Sequence, residues 1–336
     1  MFSFLKCEKI EIGNRKAVNL SKEVNLSKEV NFSKAKAGDD IMHKFLRSIG
    51  FSLYQKDRDI DKLLDQMTED LSGMKRIQLD EETNLCEIRK EVAPGMGIAV
   101  FGQMDREGVF RRNYYYPFLR SEDMTSDVSC SIQRHTERET YAGLLDEYKV
   151  GISLIFYIDN SFECRERIMD KSSLETKRAN LTGLAVSGKI LLPIQKTEKQ
   201  RENAKVTAKE RNTLLEAAKN GDEDAMETLT IEDIDMYSQI SRRVMKEDLY
   251  SIIDSCFMPC GIECDQYSVI GEITEIVEKK NQITGEEVYD LKLECSDIVF
   301  HVGIAKQDLT GEPAVGRRFK GQIWMQGNVV FDEAAD

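Results

Sequence analysis

Histidine, proline and tryptophan are scarce in this sequence, with 3, 5 and 1 copies among 336 residues. Two familiar catalytic signatures are missing, because the chain contains no Gly-x-Ser-x-Gly elbow and no Walker A loop. The elbow carries the nucleophile of α/β-hydrolases, and the Walker A loop binds nucleotide phosphates. Neither of these two enzyme classes is therefore indicated.

Positive charge is also in short supply, since 47 basic residues stand against 60 acidic ones and the net charge is −13. Residues 1–41 carry +2, residues 42–261 carry −7 and residues 262–336 carry −8. Nucleic-acid binding depends on basic side chains that neutralise backbone phosphates. Because no segment is strongly basic, we do not expect nucleic acid as the main partner.

Long apolar runs are absent as well. The longest, from Ile152 to Ile158, is far shorter than the ~20 residues of a membrane-spanning helix. The first 16 residues lack the apolar core of a signal peptide. We therefore expect a cytoplasmic protein without a membrane span, in which the eight scattered cysteines remain thiols.

A six-residue repeat occupies the N-terminal segment, at Asn19–Val24, at Asn25–Val30 and in part from Asn31. A period of six gives a helix no single apolar face but suits one face of a strand. Three short copies cannot bury that face on their own. We expect residues 1–41 to be a disordered or non-native extension and the native protein to begin at Met42.

The remaining sequence predicts an α+β protein in three parts. Two short helices and a series of strands joined by short turns predict a mostly antiparallel sheet domain over residues 42–195. Residues 196–258 are rich in helix formers and predict a helical connector, with a stop and restart at Asn220-Gly221-Asp222. Residues 262–332 alternate with period two and predict a small OB-like β-barrel, with an open five-stranded meander as the competing interpretation.

Three cysteines at four-residue intervals, Cys256, Cys260 and Cys264, are the best metal-ligand candidates. Structural zinc sites use short Cys-x₂₋₄-Cys spacings, and Cys295 or His301 could complete a set. Pro259 and the glycine after Cys260 argue against a helix that would align the thiols. Buried free thiols are the favoured interpretation, and we expect no cofactor.

His135 lies in a charged stretch, where a neighbouring carboxylate could orient it as a general base. A solvated strand end is the simpler interpretation of the same residues.

In the predicted barrel, Trp324 has the opposite parity to the apolar positions of its strand and faces outward with Lys320, near Arg317 and Arg318. An aromatic ring beside cations is typical of single-strand binding faces. Packing of Trp324 against the helical segment is the alternative that we favour.

Several segments resemble an uncharacterised bacterial family, domain-of-unknown-function family 3881. The resemblance runs from Met42 to about Val330 and implies a cytosolic protein, but it supplies no activity, ligand or catalytic residue. It is carried by the segments Met42–Phe51, Leu184–Pro193, Phe257–Pro259, Glu263–Ser268 and Gly316–Trp324.

Because well-patterned scaffold segments accompany no assembled catalytic set, the sequence favours non-catalytic binding of a partner protein or a small ligand. A hydrolase or metal-dependent enzyme that uses the cysteine cluster is the second hypothesis. Single-stranded nucleic-acid binding through the barrel is the third. The oligomeric state stays open.

Overall fold

A computed structural model describes residues 44–134, 140–147, 150, 152–194, 198–261 and 264–332 of the chain. The six-residue repeat, Met42 and His135 lie outside these residues. The described part is α+β: it contains a four-stranded antiparallel sheet, a ten-stranded mixed sheet and a helical hairpin. None of its helices is long and apolar enough to cross a bilayer.

The first sheet is the predicted antiparallel meander, in which four consecutive strands pair in chain order. Asp105 forms the third turn, where its carboxylate accepts a hydrogen bond from the Val109 amide at 2.9 Å. A helix, α1 (Asp57–Thr68), packs its apolar stripe into the same core cluster as the sheet. The four strands are β1 (Lys75–Gln78), β2 (Asn84–Ala93), β3 (Met96–Met104) and β4 (Phe110–Leu119).

The second sheet combines strands from both sides of the helical segment. Its strands before that segment are β5 (Ser131–Arg134), β6 (Tyr141–Glu147), β7 (Ile152–Ile158) and β8 (Thr176–Leu191). Helix α2 (Ser161–Met169) connects β7 to β8. The strands after the segment are β9 (Cys256–Pro259), β10 (Gln266–Lys280), β11 (Glu287–Cys295), β12 (Ile298–Ala305), β13 (Leu309–Thr310) and β14 (Arg318–Phe331).

Five of these strands pair in a closed ring. The meander β10–β11–β12 is antiparallel, β12 pairs in parallel with β8, and β8 pairs antiparallel with β14, which returns to β10. The ring is filled by apolar side chains of one core cluster, which include Leu181, Ala185, Val269, Ile273, Leu291, Leu293, Phe300, Val302, Phe319 and Ile323.

The ring differs from the predicted C-terminal barrel in its strands. The sequence indicated a fourth strand at residues 319–325 and a separate fifth at Val329–Phe331, but both belong to the continuous strand β14. Residues 327 and 328 lie between the two predicted strands. Both pair with β8, so no turn separates these two strands. The apolar–polar alternation slips at Ile276-Val277, which predicts a bend in this strand. The structure has a register shift slightly earlier, between Ile273 and Glu275.

The helical segment consists of α3 (Glu198–Lys219), α4 (Glu223–Val244) and the short α5 (Leu249–Ile252). The predicted stop and restart is present, because Gly221 has a φ of +92° and the Asp222 carboxylate accepts from the Ala225 amide at 3.0 Å. The sequence Thr230-Ile-Glu-Asp233 resembles a capping box and predicts a second helix start, but this prediction is wrong. The Thr230 hydroxyl donates back to the Met226 carbonyl at 2.7 Å, so α4 continues through it.

Candidate functional site

Trp324 lies on β14 and is buried, with only 3 % of its surface accessible to solvent. Its ring lies 5.3 Å from both the Phe45 and the Tyr157 rings, and its Nε1 donates to Asp265 at 2.8 Å. The indole does point away from the ring interior, but the N-terminal core cluster covers it. It therefore does not pack on the helical segment as expected, and no face of it is open to a nucleotide base.

The three cations near Trp324 have separate surroundings. Arg317 donates to the Glu312 carbonyl at 2.7 Å in an exposed loop, and Lys320 lies over the Tyr250 ring with its Nζ 4.3 Å from the centroid. Arg318 is buried, with 4 % exposure. Arg317, Arg318 and Lys320 therefore do not form the single basic face expected from the sequence, because Arg318 points into the protein.

Arg318 holds the base of the helical segment. Its Nε and Nη2 donate to the Leu192 carbonyl at 3.0 and 2.9 Å, just before the segment. Its Nη2 and Nη1 donate to the carbonyls of Tyr250 and Ile253 at 2.7 and 2.5 Å, near its end. Burial lowers the pKa of this guanidinium from its usual value. One side chain therefore joins the two ends of the segment, and we call this contact the Arg318 clamp.

A pocket of about 480 Å³ lies beside the Arg318 clamp. Arg318 is the cation of its lining, and its donors already serve carbonyl groups. Asp248 uses a carboxylate oxygen to cap α5, accepting from the Tyr250 amide at 2.8 Å. The charged groups of the pocket, Arg318 and Asp248, are therefore bound to the backbone. Its lining comprises Leu191, Leu192, Pro193, Ile194, Asp248, Tyr250, Ser251 and Arg318.

The candidate metal ligands lie on and after β9, with Cys256 and Cys260 half-buried and Cys264 exposed. Burial raises the pKa of the Cys256 and Cys260 thiols, which favours their neutral, weakly ligating form. The Cys295 thiol donates to the Cys256 carbonyl at 3.2 Å. Within the described residues, no group of three or more His, Cys, Asp or Glu side chains is placed to hold a metal ion.

The sequence suggests His301 only as a fourth ligand for the cysteines. In the structure its imidazole lies between two carboxylates. Its Nδ1 is 2.8 Å from Asp290 and its Nε2 is 2.9 Å from Asp123. Burial opposes its positive charge, but the hydrogen bonds to both carboxylates outweigh burial and raise the pKa of His301. Lys279 pairs with Asp290 and Lys292 with Asp123, so each carboxylate of the cluster also has a lysine partner.

A second charged cluster joins the two sheets. Arg89 on β2 donates to the Asp159 carboxylate at 2.8 Å, to Glu87 at 2.8 Å and to the Tyr116 hydroxyl at 3.0 Å. Arg120 donates to the same Asp159 at 2.7 Å. Burial raises the pKa of Asp159, but the two arginines outweigh burial and lower it. Asp159 stays ionised and paired, which indicates a structural contact between sheets.

The hairpin carries a conspicuous apolar surface that is not covered. Ile231, Ile234 and Tyr237 on α4 and Met245, the residue that follows it, are 55, 59, 70 and 84 % exposed. We call these four side chains the α4 face. The buried residues of α4 are Ala225 and Leu229. Glu232 and Asp233 of α4 form ion pairs with Arg211 of α3.

The geometry of a helix separates the two sides of α4. Successive residues turn by about 100°, so Ile231, Ile234 and Met245 lie about 140 to 160° around the axis from Leu229. Tyr237 lies about 80° from Leu229 on the exposed side. The sequence showed this helical spacing at Ile234 and Tyr237 but not which side faces α3. Exposed apolar groups of this kind are candidates for interaction sites, so the α4 face is a candidate site of this protein.

Comparison with known proteins places the chain in a family. No curated protein and no solved structure matches it. A family described as "Domain of unknown function, E. rectale Gene description (DUF3881)" matches residues 46–327. This confirms the resemblance found in the sequence and extends over most of the chain. The chain belongs to this family of unknown function.

Proposed function

We propose that the protein is a non-catalytic binding protein that docks a partner protein on its helical hairpin. The observation that carries this proposal is the α4 face, whose four large side chains, on α4 and at its C-terminal end, are 55 to 84 % exposed. Leaving large apolar side chains in water forfeits the free energy that their burial would gain. Covering by a second protein recovers that free energy.

The shape of the α4 face favours a protein over a small ligand. Small-molecule sites are concave, whereas the face of a helix is convex and is recognised through residues spaced by three or four. Ile231, Ile234 and Tyr237 have this spacing. Tyrosine is also enriched in the cores of protein interfaces, because it offers a large and rigid contact.

The rest of the molecule is well suited to be a scaffold for the hairpin. We propose that the five-stranded ring is an OB-like barrel in which β8, from before the helical segment, takes the place of a C-terminal strand. Its outer side at Leu184 and Trp324 belongs to the core cluster shared with the first sheet. That surface is used for packing within the chain and is not free for a ligand.

The Arg318 clamp supports this division of roles. Four hydrogen bonds from one buried guanidinium fix both ends of the helical segment to β14. A binding arm gains affinity when its attachment is rigid, because less freedom is lost on association. The Arg318 clamp thus favours one orientation of the hairpin relative to β14.

The two alternative functions have less support. The enzyme hypothesis depends on the spacing of Cys256, Cys260 and Cys264 and on His135, which lies outside the described residues. Nucleic-acid binding through the ring would have to use Arg317 and Lys320 without Trp324, which is 3 % exposed. We propose a cytoplasmic location, consistent with the free cysteines of the described residues.

Photo-cross-linking from the α4 face tests the proposal. A photoreactive phenylalanine analogue replaces Tyr237 in the full chain, and irradiation is performed in the native cells. The matched control carries the same analogue at Val206 on α3, which is 56 % exposed. We expect a discrete covalent protein adduct from position 237 and none from position 206. Equal labelling from both positions, or none from position 237, would contradict the proposed function.

A further inference from the structure

We infer that the partner on the α4 face is a second copy of this chain, which binds with its own α4 antiparallel to the first. This inference rests on the proposed function and adds the identity of the partner. The charges at the two ends of α4 carry it. Acidic side chains precede Ile231, and one basic side chain, Arg242, follows Tyr237 on the same side of the helix.

The positions of these charges follow from the helical geometry. Glu223, Glu227 and Arg242 lie about 120 to 160° around the axis from Leu229, on the side away from α3. All three are exposed. Along the exposed side of α4, acidic side chains therefore come first, apolar ones follow, and Arg242 lies near the end, just before Met245. Asp235, also about 120° from Leu229, adds one exposed carboxylate beside the apolar residues.

These charges are available to a partner. Among the residues that the structure describes, none forms an ion pair with Glu223, Glu227 or Arg242. The ion pairs that α4 does make use Glu232 and Asp233 toward α3, and Arg243 toward Glu247. The unpaired charges and the α4 face thus occupy one continuous surface.

An antiparallel second copy would cover the apolar residues of this surface and pair its charges, because a two-fold axis relates the two helices. A two-fold axis at Ile234 places this residue against its own copy and Ile231 at the height of the second copy's Tyr237. Arg242 then lies about 1.5 Å along the axis from the height of the second copy's Glu227. The two-fold operation brings the same flank of both helices together, so two such ion pairs form.

The parallel arrangement is disfavoured by the same charges. It would place Glu227 beside its own copy and Arg242 beside its own copy, and like charges in register repel. Because the acidic and basic ends are separated by the apolar residues, the helix is complementary to itself in one direction. The direction is therefore part of the inference.

Sedimentation velocity of the purified full chain over a dilution series tests for this dimer. We expect a reversible dimer for the wild type. Ile234→Glu should raise the dissociation constant at least ~100-fold, because it places two carboxylates on the two-fold axis. Val206→Glu on α3 is the matched control and should leave the dissociation constant unchanged.

Charge reversal tests the direction of pairing. Glu227→Arg and Arg242→Glu should each raise the dissociation constant about 10-fold, because each turns two attractive pairs into repulsive ones. The chain with both reversals should recover the wild-type value. All substituted positions are exposed, and unchanged thermal unfolding would verify that each variant folds.

A monomer at every concentration would overturn the inference, as would a dimer that responds equally to Ile234→Glu and Val206→Glu. Failure of the double reversal to restore association would overturn the antiparallel arrangement. These outcomes are distinguishable from failure of the proposed function. A monomeric chain that cross-links from position 237 to a different protein would keep the proposed function and remove the second copy as the partner.

Discussion

The ring of strands and the helical hairpin differ in where their apolar side chains lie. In the ring, Phe300 and Phe319 are fully buried among neighbours from strands that are distant in sequence. In the hairpin, Ile234 and Tyr237 are 59 and 70 % exposed on a helix that packs mainly on its neighbour. In the ring, apolar side chains contribute stability by being buried, whereas the hairpin leaves comparable side chains exposed.

The largest expected effect would come from truncating the ring core. Phe300 is fully buried and packs edge-to-face against Phe257, with centroids 5.7 Å apart. Phe300→Ala should lower the free energy of unfolding by about 3 to 5 kcal/mol, measured by urea denaturation. Tyr237→Ala on the hairpin is the paired variant and should change it by about 0.5 kcal/mol or less at concentrations that keep the chain monomeric. Similar losses for both variants would break the comparison.

Removing the Arg318 clamp should separate the two regions. Arg318→Met leaves the carbonyls of Leu192, Tyr250 and Ile253 without this donor in a buried place, at a cost of about 2 to 3 kcal/mol. We expect faster amide hydrogen exchange in α3 and α4 and unchanged exchange in β10–β12. Arg317→Met is the matched control, since Arg317 makes a single bond in an exposed loop. Equal acceleration in both regions would show that the clamp serves the ring.

A smaller effect is expected at the turn of the hairpin. Asp222 caps α4 through its bond to the Ala225 amide at 3.0 Å. Asp222→Ala should destabilise the start of α4 by about 1 kcal/mol, which residue-resolved hydrogen exchange would detect. Asp235→Ala, within the same helix, offers a control that removes equal charge but no cap. If both variants exchange alike, the cap is not what fixes the hairpin turn.

The ring should also respond to pH through His301. The pKa of His301 is raised in the folded protein, so its stabilising contribution is present below the unfolded value of 6.5 and lost as pH rises through the folded pKa. The difference in unfolding free energy between the wild type and His301→Gln should therefore shrink from about pH 6 toward pH 9. NMR titration should show that Asp123→Asn lowers the pKa of His301. A difference that grows with pH would contradict the assigned charge state.

The sequence predicts much of the local structure and little of the long-range pairing. The Asp105 turn and the stop at Gly221 are visible because neighbouring residues determine them. The parallel pairing of β8 with β12 is not visible, since it joins His301 to Thr182 across the whole helical segment. Strand parity correctly indicates that Trp324 faces out of the ring, but its cover by Phe45 depends on the far end of the chain.

The site was less predictable than the fold. Ile234 and Tyr237 of the α4 face are evident as a helical pattern, but a helical pattern alone does not distinguish a packed stripe from an exposed one. Leu229 and Ala225 are buried because α3 lies on their side, and the predicted restart at Thr230 obscured that α4 is one helix. Arg318 looked like a surface cation because its acceptors are backbone carbonyls, which leave no mark in the sequence.

Cross-linking in intact cells from position 237 tests the central claim most directly, with the mass of the adduct measured by mass spectrometry. The account predicts one dominant adduct of twice the mass of the chain, formed from position 237 and not from position 206. Absence of any protein adduct from position 237 would contradict the claim that the α4 face is a binding surface.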